Sequence, residues 1–337
     1  MKNSFRRAGP DHTQATRRWF QLAFLALNIW IGIEFYLFVR YYETGGRFGV
    51  RNRPPGVEGW LPIASLMNLK VLLHTGGLPS IHPAGVFLLI AFLLMSWLLR
   101  KSFCSWLCPV GTFSEYLGVL GRKLFRKNFA LPRWLDLPLR SLKYLLLGFF
   151  VYAIAAMSVD QIRAFLGGPY GIVADVKMLN FFRMLSLGGI LTLVLLVALS
   201  LLVKNVWCRY LCPYGGLLGL LGMLGPLRIK RDPVACIDCA KCAKACPSAL
   251  QVDHLITVQS AECTGCLNCV AACPVENALY ISVEGRRKVP VWVMAGGIAA
   301  LFLGCVLVAH LTGHWHTDLP QKMYMELVPR ANEFTHP

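Results

Sequence analysis

The chain has 337 residues, of which 56% are hydrophobic and 15% are charged. Soluble globular chains carry about 25% charged residues, so this composition excludes an ordinary soluble enzyme, and it excludes disordered and collagen-like structure as well. The net charge of +17 at pH 7 is compatible with nucleic-acid binding. The positions of the basic residues along the chain decide that question.

Apolar runs long enough to cross a bilayer recur along the chain. A membrane-spanning helix needs about 20 apolar residues. Five runs approach that length, at residues 20–39, 84–100, 142–158, 187–203 and 289–311. The sequence therefore predicts an α-helical polytopic membrane protein with about five transmembrane helices.

Lysine and arginine are distributed unevenly among the segments that flank and connect these runs. The segments 1–19, 100–143 and 204–288 hold 24 of them, whereas 40–83, 159–186 and 312–337 hold 10. Because basic residues are enriched in cytoplasmic loops, the N-terminus is predicted inside and the C-terminus outside a bacterial-type cytoplasmic membrane. The positive charge is thus a topology signal, and no nucleic-acid partner is expected.

Two of the predicted spans end in the same cysteine motif, CxxxCP. The stretch from Leu98 to Gly111, with Cys104 and Cys108, recurs 104 residues later as Leu202 to Gly215, with Cys208 and Cys212. Cysteines spaced i and i+4 lie on one helix face, so four thiols converge if the repeats pack side by side. A further cluster or metal, redox-active thiols, a docking surface and a structural role all remain open.

The strongest chemical signal follows the fourth run. Two CxxCxxCxxxCP motifs span Cys236 to Pro247 and Cys263 to Pro274. Three closely spaced cysteines supply three ligands of a [4Fe–4S] cluster, and in two-cluster ferredoxins the fourth cysteine of each motif ligates the other cluster. The expected ligand sets are Cys236, Cys239, Cys242 and Cys273 for one cluster, and Cys263, Cys266, Cys269 and Cys246 for the other.

This segment is expected to form a small α+β domain that carries both clusters. Leu250, Val252, Leu279 and Ile281 are candidates for the short strands that cover them. A pair of zinc sites is disfavoured because zinc sites use CxxC pairs and often histidine.

Protonatable residues near the predicted outer boundary are candidates for quinone or proton chemistry. Glu34 is the acidic residue placed inside a span, and an intramembrane carboxylate is costly and suggests function. His82 and His310 lie near the same boundary. The alternative is that all three are interfacial residues. No catalytic residue is predicted.

The CxxxCP pairs after membrane runs, followed by two ferredoxin motifs, resemble the membrane-bound polyferredoxin family. That family includes the quinol dehydrogenase membrane component of nitrate reductase systems (NapH type) and the C-terminal half of nitrous oxide reductase regulators (NosR type). The resemblance covers about residues 20–285 and rests on the twelve motif cysteines. The fifth run departs from the four-span nitrate reductase pattern, so the resemblance does not transfer a pathway.

What the resemblance implies is a quinol dehydrogenase-like electron-transfer subunit that links quinone to a redox protein partner. An assembly or regulatory protein that supplies electrons for metalloenzyme maturation is the alternative. The expected domains are a cytoplasmic N-terminus (1–19), a four-span membrane domain (20–203), a cytoplasmic ferredoxin domain (204–288), a fifth span (289–311) and an outer tail (312–337).

Overall fold

The computed structural model describes residues 12–47, 49, 52–126, 129, 131–283 and 287–336. Most of the predicted N-terminal segment 1–19 lies outside these residues. The chain divides into two compact units. The first comprises Met1–Leu25, Phe92–Leu147 and Leu193–Leu301, and the second comprises Ala26–Ala91, Gly148–Thr192 and Phe302–Pro337.

The chain is mostly helical. In its first half the elements are α1 (Thr13–Glu43), a 3-10 turn (Pro55–Trp60), α2 (Pro62–Thr75), α3 (Pro83–Leu98), α4 (Phe103–Trp106), α5 (Pro109–Phe125) and α6 (Arg133–Ala156). The next group is α7 (Val159–Gly167), α8 (Pro169–Ile172), α9 (Ala174–Arg183), α10 (Leu187–Leu202), a π-turn (Trp207–Leu211) and α11 (Pro213–Leu224). The final helices are α12 (Lys241–Ala245), α13 (Asn268–Ala271), α14 (Val291–Leu311) and α15 (Gln321–Leu327).

Three helices among the described residues are long and apolar enough to cross a membrane. They are α1, α6 and α14, with 31, 24 and 21 residues. A fourth candidate is the pair α9 and α10, which bends by 81° at a short break. The remaining predicted span coincides with α3, which is apolar but has 16 residues. At 1.5 Å per residue such a helix is shorter than a bilayer core of about 30 Å, so the structure does not confirm the predicted five spans by length.

A four-stranded antiparallel sheet belongs to the first unit. Its strands are β1 (Leu227–Arg231), β2 (Thr257–Val258), β3 (Leu279–Val283) and β4 (Arg287–Lys288), in the order β2-β1-β3-β4. The central β1 strand aligns Ile229 with Val258 on one side and with Ile281 on the other.

The predicted strand residues divide into two groups. Leu279 and Ile281 lie in β3, as expected. The prediction of strands at Leu250 and Val252 is wrong, because Leu250 is in a loop and Val252 is in a 3-10 turn. Ala249 takes a left-handed φ of 51°, and a residue in that conformation cannot continue an extended strand.

The proline of each CxxxCP motif starts a helix. Cys108 is the extended N-cap of α5 with Pro109 at its first position, and Cys212 and Pro213 do the same for α11. Proline suits the first helical position because its missing N–H would be unpaired there anyway. Each motif therefore places its first cysteine in a short helical turn, α4 or the π-turn, and its second cysteine at the N-cap of the next helix.

Candidate iron–sulfur and proton sites

Cys246 and the first three cysteines of the second motif line one cavity of the first unit. The cavity is also bordered by Pro247, Leu250, Val258 and Leu267, among other residues. Burial raises the pKa of the Cys266 thiol to about 12. Arg17 opposes that shift, while the nearby Cys246 and Cys263 thiols add to it. The structure thus brings together the four residues expected to share a cluster.

The other four motif cysteines form a second group that is more exposed. Burial raises the pKa of Cys273, and the neighbouring thiols of Cys239 and Cys236 raise it further. Cys273 in turn contributes to the raised pKa of Cys242. Cys239 is exposed to solvent, whereas Cys263, Cys266 and Cys269 are buried. The two groups therefore differ in their access from water.

The backbone around both groups suits an anionic cluster. Asp238 and Ala240 flank Cys239 with left-handed φ values of 50° and 55°. The equivalent residues of the second motif, Gly265 and Leu267, have φ values of 62° and 59°. Left-handed residues that alternate with right-handed ones turn successive N–H groups inward, a concave arrangement found at many iron–sulfur sites. These loops fit [4Fe–4S] clusters, whose ligand assignment stays a prediction.

The four CxxxCP thiols also approach one another. Burial raises the pKa of Cys104 to about 12, and Cys108 and Cys212 add to the shift. The pKa of Cys208 is raised by burial and by all three other thiols. Among the described residues, no three His, Cys, Asp or Glu side chains are close enough to hold a single metal ion. The same holds for the ferredoxin motifs. A [4Fe–4S] cluster binds its thiolates to several irons, so the thiolates need not converge on one ion.

Direct hydrogen bonds join the first CxxxCP segment to the second ferredoxin motif. The Ser105 hydroxyl donates to the Thr264 carbonyl at 2.6 Å, and the Trp106 indole donates to the Gly265 carbonyl at 3.1 Å. Gln14 of α1 donates to the Cys266 carbonyl at 3.0 Å. Sequence reasoning missed these residues, since nothing in their local pattern distinguishes them from ordinary helix residues.

A buried ion pair lies directly before Cys263. Glu262 accepts hydrogen bonds from the Lys143 ammonium at 2.6 and 2.7 Å and from the Tyr144 hydroxyl at 3.0 Å. Lys143 has no exposed side-chain surface. Its position inside the apolar run 142–158 was the available signal, because a lysine in such a run needs a partner.

The three candidates for proton chemistry have different surroundings in the second unit. Glu34 is half-buried in α1, and His310 is exposed at the end of α14, where its ring lies 5.2 Å from that of Trp315. His82 is 2% exposed. Its Nε2 lies 2.9 Å from the Gly171 carbonyl, and its Nδ1 lies 3.0 Å from the Arg53 guanidinium.

Both ring nitrogens of His82 have polar neighbours. The Gly171 carbonyl only accepts, so Nε2 donates to it, while Nδ1 faces the Arg53 guanidinium and, at 3.7 Å, the Glu58 carboxylate. Arg53 also pairs with Glu58 and Asp175, and Thr317 donates to Glu58 at 2.7 Å. We call Arg53, Glu58, His82 and Asp175 the buried polar network. Its two carboxylates exceed its single guanidinium by one charge.

Comparison with known proteins relates both the CxxxCP motifs and the ferredoxin motifs to iron–sulfur proteins. Residues 81–128 and 185–232, which contain the CxxxCP pairs, match a family described as "4Fe-4S binding domain". Residues 228–281 match a "4Fe-4S dicluster domain". No solved structure matches the chain.

Among curated relatives, YccM of Escherichia coli (strain K12), which is named for a role in electron transport, is 47% identical over 94% of this chain and 90% of its own length. The regulatory protein NosR of Pseudomonas aeruginosa is 31% identical over 48% of this chain and 23% of its own length. The ferredoxin-type protein NapH of Escherichia coli is 27% identical over 36% of this chain and 38% of its own length.

Proposed function

This chain belongs to the membrane-bound polyferredoxin family, and we propose that it carries electrons between the quinone pool of a bacterial cytoplasmic membrane and a redox protein partner. The observation that carries the proposal is the grouping of the eight ferredoxin cysteines into two quartets, one of which surrounds a single cavity. Each quartet would hold one [4Fe–4S] cluster, which supplies one-electron transfer when bound.

The difference in burial between the two quartets supports a direction of electron transfer within the protein. Three of the four cysteines in the Cys246 quartet are buried, and the loop that carries them accepts hydrogen bonds from α1 and from the Cys104–Cys108 segment. The quartet with Cys239 reaches solvent. The protein partner would therefore exchange electrons at the Cys239 quartet, and the membrane part would serve the Cys246 quartet.

The distribution of basic residues supports the proposed membrane orientation. The segments 1–19, 100–143 and 204–288 hold 24 lysines and arginines, and the segments 40–83, 159–186 and 312–337 hold 10. This is the distribution expected if the first three segments face the cytoplasm. In this orientation α1, α3, α6, α10 and α14 provide five crossings.

Quinone chemistry also moves protons. A quinol that becomes a quinone releases two electrons, taken one at a time by the clusters, and two protons. Nδ1 of His82 lies 3.0 Å from the Arg53 guanidinium and 3.7 Å from the Glu58 carboxylate inside the buried polar network, so this ring is the group that would take part in proton transfer. Glu34 and His310 remain candidates for exchange with the outer solution.

The test uses full-length protein in liposomes with decylubiquinol and decylubiquinone. We expect added decylubiquinol to bleach the visible absorbance of oxidised clusters, or decylubiquinone to restore that of dithionite-reduced clusters. In His82→Asn we expect either rate to fall by at least tenfold, because the variant lacks the basic ring nitrogen. The Cys305→Ser variant, altered in α14 away from every motif, is the matched control.

A protein whose clusters respond to neither quinone form would contradict the quinone link. If such a protein were still required for the maturation of one metalloenzyme, the assembly or regulatory role would be the better description. A normal rate in His82→Asn would reject only the part given to the buried polar network.

A further inference from the structure

A buried lysine lies between the two CxxxCP motifs, and the ferredoxin motifs do not explain it. Lys101 is 2% exposed. A Cβ built on Gly215 would lie 3.5 Å from Nζ of Lys101 and 3.6 Å from both the Cys208 carbonyl oxygen and Cβ of Cys212. The ammonium of Lys101, which precedes Cys104 in the first copy of the repeat, therefore lies against the motif of the second copy.

Lys101 lacks the partner that a buried cation requires. Among the residues that the structure describes, no carboxylate lies within 4.0 Å of its ammonium, and the Glu262 carboxylate is paired with Lys143 instead. A buried charge without a counter-ion is costly. An anion held between the four thiols would provide the missing counter-charge.

The helices that follow the motifs present N–H groups to the same place. The Gly215 N–H donates to the Cys212 sulfur at 3.2 Å, and Gly111 and Val110 donate backbone hydrogen bonds to Cys108. These are equivalent positions of the repeat at the first turns of α11 and α5. Hydrogen bonds of this kind stabilise thiolates and tune iron–sulfur clusters.

Glycine is required at one of these turns. A Cβ on Gly111 would lie 2.1 Å from the carbonyl oxygen of Cys104. The close approach holds the Cys104 turn against the start of α5.

We propose that Cys104, Cys108, Cys208 and Cys212 bind a third [4Fe–4S] cluster and that Lys101 is its charge partner. A donor set of four thiolates without histidine suits iron–sulfur clusters. Each of the two stretches that match the "4Fe-4S binding domain" contains one of the two cysteine pairs. This proposal rests on the proposed function, since it adds a carrier between the membrane and the Cys246 quartet.

The contacts already described support that position. Ser105 and Trp106, which lie between Cys104 and Cys108, donate to carbonyls beside Cys266. A cluster in the CxxxCP quartet would therefore be neighbour to the buried ferredoxin cluster. Electrons would pass from the membrane to the third cluster, then to the Cys246 quartet and the Cys239 quartet, or in reverse.

The first test counts iron and acid-labile sulfide in anaerobically purified full-length protein. Three clusters predict about twelve irons and about twelve sulfides, against about eight of each for two clusters. The double variant Cys104→Ser with Cys208→Ser should lose four irons while the EPR signals of the ferredoxin clusters persist. Cys305→Ser should lose none. A wild-type value near eight would overturn the proposal, and so would zinc in place of the extra iron.

The second test measures the reduction potential of each cluster by EPR-monitored titration. Reduction makes a cluster more negative, so a nearby cation favours it. Lys101→Met should keep the iron count and shift one potential to a more negative value, whereas the exposed Lys123→Met should shift none. Three unchanged potentials in Lys101→Met would overturn the role given to the lysine.

Failure of the two proposals can be told apart. Eight irons with a normal quinone response would reject the third cluster and leave the proposed function standing. Twelve irons without a quinone response would do the reverse.

Discussion

At the scale of single residues, burial and charge distinguish cysteines that the motif treats as equivalent. The first three cysteines of the second motif are buried and border a cavity, whereas the first motif is open to water at Cys239. Because exposure and hydrogen bonding help to set cluster potentials, two identical motifs are expected to have different potentials. That difference would give electrons a preferred path.

The crossed ligand pattern is tested at Cys246. Cys246→Ser should disturb the cluster that also uses Cys263, Cys266 and Cys269, because those four residues border one cavity. The EPR signal of the Cys239 quartet should persist. Loss of the Cys239 signal with retention of the other would show that each motif supplies all four ligands of its own cluster.

Glu115 gives a prediction for the pH dependence of stability. Burial alone would raise its pKa, but hydrogen bonds and charge from Arg17, together with Gln21 and Asn268, hold the pKa of Glu115 below its usual value. A carboxyl group whose pKa is lower in the folded chain than in the unfolded chain stabilises the fold at pH values above its unfolded-state pKa. That stabilisation is lost as the pH falls through the folded-state pKa.

We expect Glu115→Gln to lower the free energy of unfolding by about 2 kcal/mol at neutral pH. The difference from wild type should shrink below about pH 4. Thermal unfolding in detergent between pH 3 and pH 8 measures both effects. Parallel curves for the two proteins would show that the Arg17 pair does not control the acid-side loss.

At the scale of elements, small residues let helices of the first unit approach closely. A Cβ on Gly121 of α5 would lie 1.7 Å from the carbonyl oxygen of Leu201 in α10. Such contacts between backbones are typical of helix packing in membranes, where small residues line the interface. The glycine in α5 is thus explained by its neighbour, not by a turn.

Gly121→Ala should therefore separate α5 from α10. We expect a loss of about 1–3 kcal/mol in stability, as in other overpacked interiors. Gly148→Ala in α6 is the matched control, because a Cβ there has nothing within 4 Å. Denaturant titration in detergent gives the comparison, and equal midpoints for the two variants would contradict the close packing.

At the scale of the whole molecule, the orientation across the membrane is the property with the largest consequences. The uneven distribution of 24 and 10 basic residues predicts that the cluster-bearing segments face the cytoplasm, where thiols stay reduced. The redox partner would then be a cytoplasmic protein or a protein bound to that face.

Reporter fusions test this orientation. Alkaline phosphatase, which folds only outside, should be active after Pro337 and inactive after Lys288. Green fluorescent protein should give the opposite pattern. Active phosphatase after Lys288 together with fluorescence after Pro337 would reverse the predicted topology, and the same reporter active at both positions would show that α14 does not cross.

The features that could be predicted from the sequence are those written in local spacing. Regular cysteine intervals identified the ferredoxin motifs, and an offset of 104 residues revealed the CxxxCP repeat. Apolar runs predicted helices that the structure contains at α1, α6 and α14. Each of these signals depends only on residues close to one another along the chain, so periodicity and spacing are sufficient.

The tertiary structure was needed to find the contacts between distant segments and the residues at which helices end. The Arg53, Glu58, His82 and Asp175 side chains are joined across more than 100 residues of chain, and neither their spacing nor their types predicts it. In the sequence Lys101 looks like an ordinary basic residue after a span, whereas the fold buries it against the second CxxxCP motif. Burial and partner choice are set by which elements pack together, and that information is not local.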